Sequence, residues 1–374
     1  MSTFEGLKHE ITRGIQAGEH FGAQVAISVK GERLLEEAMG MNEAFQPLQQ
    51  DMLMLWLSAC KPVAAVACGI LMDRGLLDLE RPVAEWIPEF ASRKKDKITP
   101  RHLLTHTAGI RGATLGWRPK PWEDIIGMIC HSKPEPHWAP GELAGYHVDS
   151  AWYMLGELIR VIDGRPYEHF VREEIFLPLG MESCWVGIDD DLYEDWEDRV
   201  AMVYDTHFGV PVVLEELCSR ESVTCCRPGG NGRGPAREFI LFYEALQRMV
   251  KGESGILKPE TARTLVDRHR VGMMDKTFRR TIDWGLGFMR QSDFYAPGDT
   301  PYQFGNYASR EAFGHCGNQS TASFCDPSFD LCVSLLFNGL PGEDTHQARM
   351  RAALSAIYED LGFTSECSTT ATES

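Results

Sequence analysis

The sequence lacks the features that send a chain into or across a membrane. The first ten residues, Met1 to Glu10, contain neither a basic start nor an apolar core, so they predict no signal peptide. No apolar run approaches the roughly 20 residues that a membrane-spanning helix needs. We therefore expect a cytoplasmic protein with no membrane partner.

Positive charge is also scarce in this chain. Lysine and arginine together number 37 against 54 aspartates and glutamates, which gives a formal net charge of −17. Nucleic acids and anionic membranes both require a basic patch, so this balance argues against either partner. The expected partner is a small molecule, and the oligomeric state stays open.

Metal-ligand and disulfide patterns are absent as well. The chain contains no Cys-x-x-Cys pair and no His-Glu-x-x-His, so no metal site is predicted. Its eleven cysteines lack the regular spacing of a disulfide framework and are expected to be reduced thiols. The glycines at 229–234 precede Pro235, which excludes a dinucleotide fingerprint, and we interpret them as a loop bordering the site. No cofactor is expected.

The patterns that are present indicate a globular protein of mixed α/β class, with 43% hydrophobic and 24% charged residues. They predict an α/β domain from residues 1–82 and 226–364, a mostly helical inserted domain at 83–225, and a disordered tail at 365–374. The predicted helices are 4–17, 58–75, 99–107, 122–131, 149–163, 167–175, 235–251, 259–268 and 344–361. The predicted strands are 21–30, 33–39, 284–290, 311–316, 320–326 and 330–338.

A hydroxyl and an amine stand three residues apart at the start of a strongly apolar helix. Positions i and i+3 share one helix face, so Ser58 and Lys61 can share a proton. Burial among apolar side chains and the positive end of the helix dipole both lower the pKa of a lysine. This pattern indicates a nucleophile beside its base. A helix-capping serine and a lysine extending to solvent explain the two residues equally well.

A second Ser-x-x-Lys match occurs at Ser92 and Lys95. It lies in the charged run from Arg93 to Lys97, where we expect the lysine to be solvated and protonated. We therefore interpret this match as a chance occurrence.

Several further motifs follow Ser58 in a fixed order. They are Gly75-Leu76-Leu77-Asp78-Leu79, Ile98 to Ile110, Pro140-Gly141 with Tyr146, Leu155 to Ile159, Asp163-Gly164 through Pro178 to Met181, Gly229-Gly230, Gly314-His315-Cys316-Gly317, and Asp326-Pro327 with Asn338. Over residues 20–360 the chain thereby resembles the serine hydrolases related to class C β-lactamases, D-alanyl carboxypeptidases and their esterase relatives. The resemblance implies an antiparallel sheet flanked by helices, with a mostly helical insertion.

The resemblance also implies roles for individual residues. Ser58 matches the family's nucleophile, and Lys61 matches its partner base. Tyr146 matches the tyrosine of the second motif, whose phenol shuttles a proton to the leaving group. His315 matches the first position of the third motif, and the backbone N–H groups of Ser58 and Asn318 match the oxyanion hole. A structural role at a strand end is the alternative for His315.

Two departures from the family pattern concern the substrate. Members active on β-lactams have Tyr-x-Asn as the second motif, whereas Tyr146 is followed here by His147 and Val148. Their third motif begins with lysine, whereas His315 is mostly uncharged near pH 7. These differences favour the esterase-like branch over a cell-wall or antibiotic substrate.

Four further residues are expected at the substrate cleft: Gly317, Trp117, Trp138 and His147. The two tryptophans are equally consistent with a domain contact. Asp149 is predicted to cap the helix that follows it.

The sequence therefore predicts a serine hydrolase that acts through an acyl-enzyme on an ester, thioester or amide of a small molecule. An acyltransferase or cyclase of a biosynthetic pathway, a β-lactamase or D-Ala peptidase, and a catalytically silent binding module are the alternatives.

Overall fold

A seven-stranded antiparallel sheet is at the centre of the structure, a computed structural model that describes residues 3–112, 115 and 119–364. The helices are α1 Glu5–Gln16, α2 Lys61–Asp73, α3 Pro100–Leu104, α4 Trp122–His131, α5 Ser150–Asp163, α6 Tyr167–Val171, α7 Tyr193–Trp196, α8 Glu215–Cys218, α9 Arg220–Thr224, α10 Ala236–Val250, α11 Pro259–Val266 and α12 Glu343–Asp360. The strands are β1 Gly22–Val29, β2 Glu32–Glu43, β3 Gln46–Pro47, β4 Met54–Leu57, β5 Trp185–Val186, β6 Tyr204–Asp205, β7 Val212–Val213, β8 Gly232–Gly234, β9 Met274–Asp275, β10 Arg280–Thr281, β11 Met289–Arg290, β12 Phe313–Gly317, β13 Thr321–Asp326, β14 Leu331–Phe337 and β15 Gly339–Leu340.

The main sheet has the strand order β11-β12-β13-β14-β1-β2-β3, and every neighbouring pair is antiparallel. Helices α1 and α12 pack together on one face of the sheet, and α10 packs on the other. The fold class predicted from the sequence is confirmed.

The central strands of the sheet are buried on both faces because helices pack on each side, and successive side chains of a strand point to opposite faces. In β14, Leu331, Val333 and Leu335 belong to the core beneath α1 and α12. The alternate residues Cys332 and Leu336 belong to the core on the α10 side. The central strands therefore read as continuous apolar runs.

Helix α2 is at the centre of the core on the α10 side of the sheet. Its residues from Lys61 to Leu71 are all buried, as expected of a helix that is apolar on every side. The neighbouring helices α5, α6 and α11 pack against it. A short sheet of order β4-β8-β5 lies just before α2 and fixes the point at which this helix begins.

Several predicted elements differ from the structure at their ends, and three differ more substantially. The predicted strand 284–290 is reduced to β11, because Gly287 has a φ of 79° and its N–H bonds Leu104. The predicted helix 99–107 ends at Leu104, since His106 adopts a left-handed φ of 58°. The predicted helix 167–175 is α6 followed by a π-helical turn over Arg172–Phe176.

The predicted inserted domain contains mostly helices, and two of its strands pair outside it, β5 with β8 and β6 with β15. Tyr204 and Asp205 of β6 run parallel to Gly339 and Leu340 of β15. The boundaries at 82/83 and 225/226 stay predictions, and the tail predicted at 365–374 lies outside the described residues. Within the described ranges, no helix combines the length and the hydropathy that a membrane span requires.

Candidate active site

Ser58 lies at the junction between strand β4 and helix α2. The strand ends at Leu57, whose φ of 50° and ψ of −135° are strained for a residue with a side chain. Ser58 then begins a single 3₁₀ turn that leads into α2 at Lys61. This sharp turn leaves the serine partly exposed while its neighbours on both sides are buried.

Lys61 is fully buried and faces Ser58 across one turn. Its Nζ lies 3.0 Å from Oγ of Ser58 and 2.5 Å from the carbonyl oxygen of Gly229. The same Nζ lies over the rings of Tyr146 and Trp152, at 5.2 and 5.4 Å from their centroids. Burial lowers the pKa of Lys61 to about 8, since the charged amine loses its hydration.

Tyr146 reaches the same point from the loop before α5. Its phenol hydrogen-bonds Ser58, and burial nevertheless raises its pKa above the ordinary value. The backbone is held by Asp275, whose Oδ1 accepts from the Tyr146 N–H at 3.1 Å. Ser58, Lys61 and Tyr146, separated by as many as 88 positions in the sequence, are thus adjacent in space.

His315 and Asn318 lie at the end of strand β12, beside the serine. This approach depends on Gly317, because a Cβ there would lie 2.3 Å from the carbonyl oxygen of Trp56. Among the turn, loop and cap hydrogen bonds of the described residues, none uses the N–H of Ser58 or of Asn318. Both amides therefore remain candidates for the oxyanion hole that the family resemblance implies.

These residues line a cavity of about 330 Å³. Its wall contains Ser58, Tyr146, His315 and Asn318, together with Leu57, Val148, Asp149, Gly229, Gly230, Thr277, Phe278, Met289, Tyr302 and Cys316. We call this cavity the cleft. The Gly229-Gly230 loop, which the sequence indicates as bordering the site, forms part of its wall.

Two residues expected at the cleft are turned away from it. His147 is fully buried, and its Nε2 accepts a hydrogen bond from the N–H of Ile110 at 3.0 Å. Trp138 packs against Gly109 and donates its indole N–H to Thr107. Neither forms part of the wall, so both have structural positions. Gly317 is not part of the wall either, and its contribution is to let β12 approach the backbone of Trp56 closely. Trp117 lies outside the described residues.

The expectation of a solvated Lys95 is wrong. Lys95 is buried, and its Nζ donates to the carbonyl oxygens of Cys130 and Ser132 at 2.8 and 2.6 Å. Ser92 donates to the same carbonyl of Cys130, so serine and lysine are joined to a backbone oxygen rather than to each other. Ser92 and Lys95 are not part of the cleft wall, which agrees with the interpretation of this match as a chance occurrence.

One residue that positions the site, Asp275, belongs to none of the sequence motifs. Asp275 accepts from the N–H groups of Tyr146, Thr277 and Phe278, and it forms a buried ion pair with Arg270 at 3.1 Å. An Asp-x-Thr-Phe turn is the signal that could have indicated this anchor.

Asp149 occupies the N-cap of α5 as predicted, but its side chain makes no capping hydrogen bond. The described residues contain no group of three or more metal-ligating side chains arranged to hold an ion.

The sequence of the chain is similar to that of characterised hydrolases. It is 29% identical to esterase EstB of Burkholderia gladioli over 353 residues, covering 85% of this chain and 86% of that protein. It is 28% identical to the esterase/beta-lactamase LipL of Mycobacterium tuberculosis over 249 residues, covering 65% of this chain and 54% of that protein.

The fold is also similar to solved structures. A penicillin-binding protein homolog from Caulobacter crescentus superimposes with a TM-score of 0.76 at 25% identity, covering 96% of this chain and 97% of that one. A family VIII carboxylesterase gives the same TM-score and coverage at 23% identity. The beta-lactamase family profile matches residues 7–357. The chain therefore belongs to the beta-lactamase family, as a hydrolase of that family with esterase relatives.

Proposed function

We propose that this protein is a serine hydrolase that cleaves a small-molecule ester through a covalent acyl-enzyme on Ser58. The observation that carries the proposal is the distance of 3.0 Å between Oγ of Ser58 and the buried Nζ of Lys61. Thioesters and amides are chemically related substrates of the same mechanism. The acceptor of the acyl group is water.

In the first half-reaction, Oγ of Ser58 attacks the substrate carbonyl while Lys61 takes the hydroxyl proton. The negative charge that develops on the carbonyl oxygen is held by the N–H groups of Ser58 and Asn318. One such donor contributes about 3 kcal/mol of transition-state stabilisation in other hydrolases. The bond to the leaving group then breaks, and the proton passes from Lys61 through the Tyr146 hydroxyl to the departing oxygen.

In the second half-reaction, water replaces the leaving group. Lys61, now neutral again, takes a proton from the attacking water, directly or through Tyr146. The tetrahedral intermediate collapses, the ester bond to Ser58 breaks, and the serine recovers its proton. The acid is released and the enzyme returns to its starting state.

Lys61 is the base in this proposal because burial shifts the pKa values of Lys61 and Tyr146 in opposite directions. It lowers the pKa of Lys61 to about 8, so a useful fraction of the amine is neutral near pH 7. It raises the pKa of Tyr146, so the phenol keeps its proton and acts as a relay. A permanently protonated phenol can donate and accept a proton in concert.

An ester fits the cleft better than a β-lactam. A β-lactam carboxylate needs a cation at the third motif, whereas burial lowers the pKa of His315 to about 3 and leaves the ring neutral. Val148 cannot bind an acylamide as the asparagine of Tyr-x-Asn does. EstB, which is called an esterase, is similar over most of both chains and supports the same choice.

The test is an intact-mass measurement after incubation with a fluorophosphonate, followed by turnover of a short-chain p-nitrophenyl ester. We expect a single adduct on the peptide that contains Ser58, with loss of both labelling and turnover in Ser58→Ala. Ser92→Ala is the matched control because Ser92 heads the other Ser-x-x-Lys sequence, and it should behave as the wild type. Equal labelling of Ser58→Ala would place the nucleophile elsewhere.

A further inference from the structure

The loop that carries Tyr146 is fixed at three consecutive backbone N–H groups. The N–H of Tyr146 donates to Oδ1 of Asp275 at 3.1 Å. The N–H of Gly145 donates to the carbonyl oxygen of His106 at 3.0 Å. The N–H of His147 donates to Nδ1 of the same histidine at 2.9 Å. His106 therefore supplies two of the three acceptors that hold this loop.

His106 can accept through its ring because the ring is neutral. The side chain is 0% exposed, and burial lowers its pKa well below the ordinary value. A protonated ring would carry a hydrogen on Nδ1 and could not accept the N–H of His147. The φ of 58° at His106 is left-handed, which is uncommon for a residue with a side chain. In this conformation the carbonyl and the ring both accept hydrogen bonds from the loop, one on each side of Tyr146.

The ring of His106 also packs against the phenol. The ring centroids of His106 and Tyr146 are 4.6 Å apart, with 38° between the ring planes. The centroids of Trp152 and Trp284 lie 5.5 and 4.4 Å from that of the histidine. Because buried rings are close-packed, the imidazole limits the movement of the phenol as well as that of the backbone. His106 is not part of the cleft wall, so it affects the reaction through other residues.

We propose that His106 is a positioning residue, which holds the Tyr146 hydroxyl at Ser58 for transfer of the proton to the leaving group. This inference rests on the proposed function, in which the phenol is that relay. The hydroxyl already hydrogen-bonds Ser58, and a displacement of about 1 Å at a reacting centre costs about 100-fold in rate. Loss of the Nδ1 acceptor leaves the buried N–H of His147 without a partner, so the loop is expected to shift.

The test is the leaving-group dependence of kcat/KM, a constant that reports the steps up to acylation. Phenyl butanoate is compared with p-nitrophenyl butanoate, whose leaving oxygen departs as a stable anion and needs little help from a proton donor. We expect His106→Leu to lower kcat/KM about 100-fold for the phenyl ester and about tenfold for the p-nitrophenyl ester. His106→Asn should keep the wild-type ratio, because its Oδ1 replaces Nδ1 as the acceptor and asparagine tolerates a positive φ.

A double-mutant cycle separates positioning from general damage to the fold. Tyr146→Phe removes the hydroxyl, so in that background His106→Leu should lower kcat/KM for phenyl butanoate by less than about twofold. His20→Leu is the matched control, since His20 is also buried and its Nδ1 accepts a hydrogen bond, in this case from Arg349. It should leave the ratio between the two esters unchanged. Circular dichroism verifies that each variant is folded, and His106→Ala is used if His106→Leu is not.

The outcomes distinguish this inference from the proposed function. An equal loss for both esters, an equal loss in the Tyr146→Phe background, or an asparagine variant as impaired as the leucine variant overturns the inference. Failure of both His106→Leu and His106→Ala to fold also overturns it, because the hydrogen bond is then assigned to stability. Wild-type rates in Tyr146→Phe overturn the relay and this inference with it, whereas full turnover by Ser58→Ala overturns the proposed function itself.

Discussion

Nζ of Lys61 lies 2.5 Å from the carbonyl oxygen of Gly229, a residue 168 positions further along the chain. This hydrogen bond orients the amine. A neutral amine has two N–H groups and one lone pair, so donation of one N–H to Gly229 leaves the lone pair free to face the Ser58 hydroxyl. In the proposed mechanism, the Gly229 loop thus holds Lys61 in a position to accept the serine proton.

The pH dependence of turnover follows from Lys61. Its pKa is about 8 in the folded protein. We expect kcat/KM for a p-nitrophenyl ester to rise about tenfold per pH unit below pH 8 and to level off above it, because only the neutral amine is a base. Rates are measured at the isosbestic wavelength, with Ser58→Ala as the blank. A profile that is flat between pH 6 and 9 would contradict this assignment.

The same lysine destabilises the folded protein. Burial lowers its pKa from 10.5 to about 8. That shift corresponds to about 3 kcal/mol, and the lost bond to Gly229 offsets about 1 kcal/mol of it. We expect Lys61→Met to raise the free energy of unfolding by about 2 kcal/mol at pH 7, as measured by urea denaturation.

This stability difference has a defined pH window. Below pH 8 the lysine is protonated in both folded and unfolded states, so its full cost is present. Between pH 8 and 10.5 only the unfolded state keeps the proton, and the difference between Lys61→Met and the wild type should shrink. A difference that is independent of pH from 7 to 10 would mean that Lys61 is not desolvated.

The ion pair between Arg270 and Asp275 is expected to be essential for stability. Both side chains are buried, and Asp275 also accepts three backbone N–H groups. Asp275→Ala should destabilise the protein by about 3 to 5 kcal/mol, since it leaves a buried charge unpaired. The control is Asp299→Ala, which removes an exposed pair with Arg280 and should cost under about 1 kcal/mol. Similar losses for the two variants in denaturant would argue against this role.

Gly317 is expected to tolerate no side chain. A Cβ at this position meets the carbonyl oxygen of Trp56 at 2.3 Å, so β12 must shift away from β4 and carry Asn318 with it. We expect Gly317→Ala to lower kcat about 100-fold, the usual effect of a displacement of about 1 Å at a reacting centre.

The matched control for Gly317 is Gly127→Ala in helix α4, where an added Cβ meets nothing within 4 Å. This change should leave kcat unchanged and stabilise the helix by about 0.5 to 1 kcal/mol. If Gly317→Ala were as active as Gly127→Ala, the close approach of β12 would not be needed to position the proposed oxyanion hole.

The sequence was most informative where one short segment contains all the interacting atoms. Ser58 and Lys61 lie one helical turn apart, so helix geometry alone places them in contact. It was misleading where side-chain direction depends on distant elements. His147 was expected at the cleft, but its ring is turned to the Ile110 backbone. Lys95 was expected in solvent, but it is buried and donates hydrogen bonds to the carbonyl oxygens of Cys130 and Ser132.

The amino-acid sequence by itself determined the mixed α/β class, the proximity of Ser58 and Lys61, and the motifs from which the resemblance to the family implies an antiparallel sheet. Periodicity and local spacing encode the first two features, because they depend on neighbouring residues. Only the tertiary structure decided that Gly229 orients Lys61, that Asp275 holds Tyr146, and that Lys95 is buried against the carbonyls of Cys130 and Ser132. Those relationships join segments that are tens to hundreds of residues apart, and packing of the whole core selects which of their side chains meet.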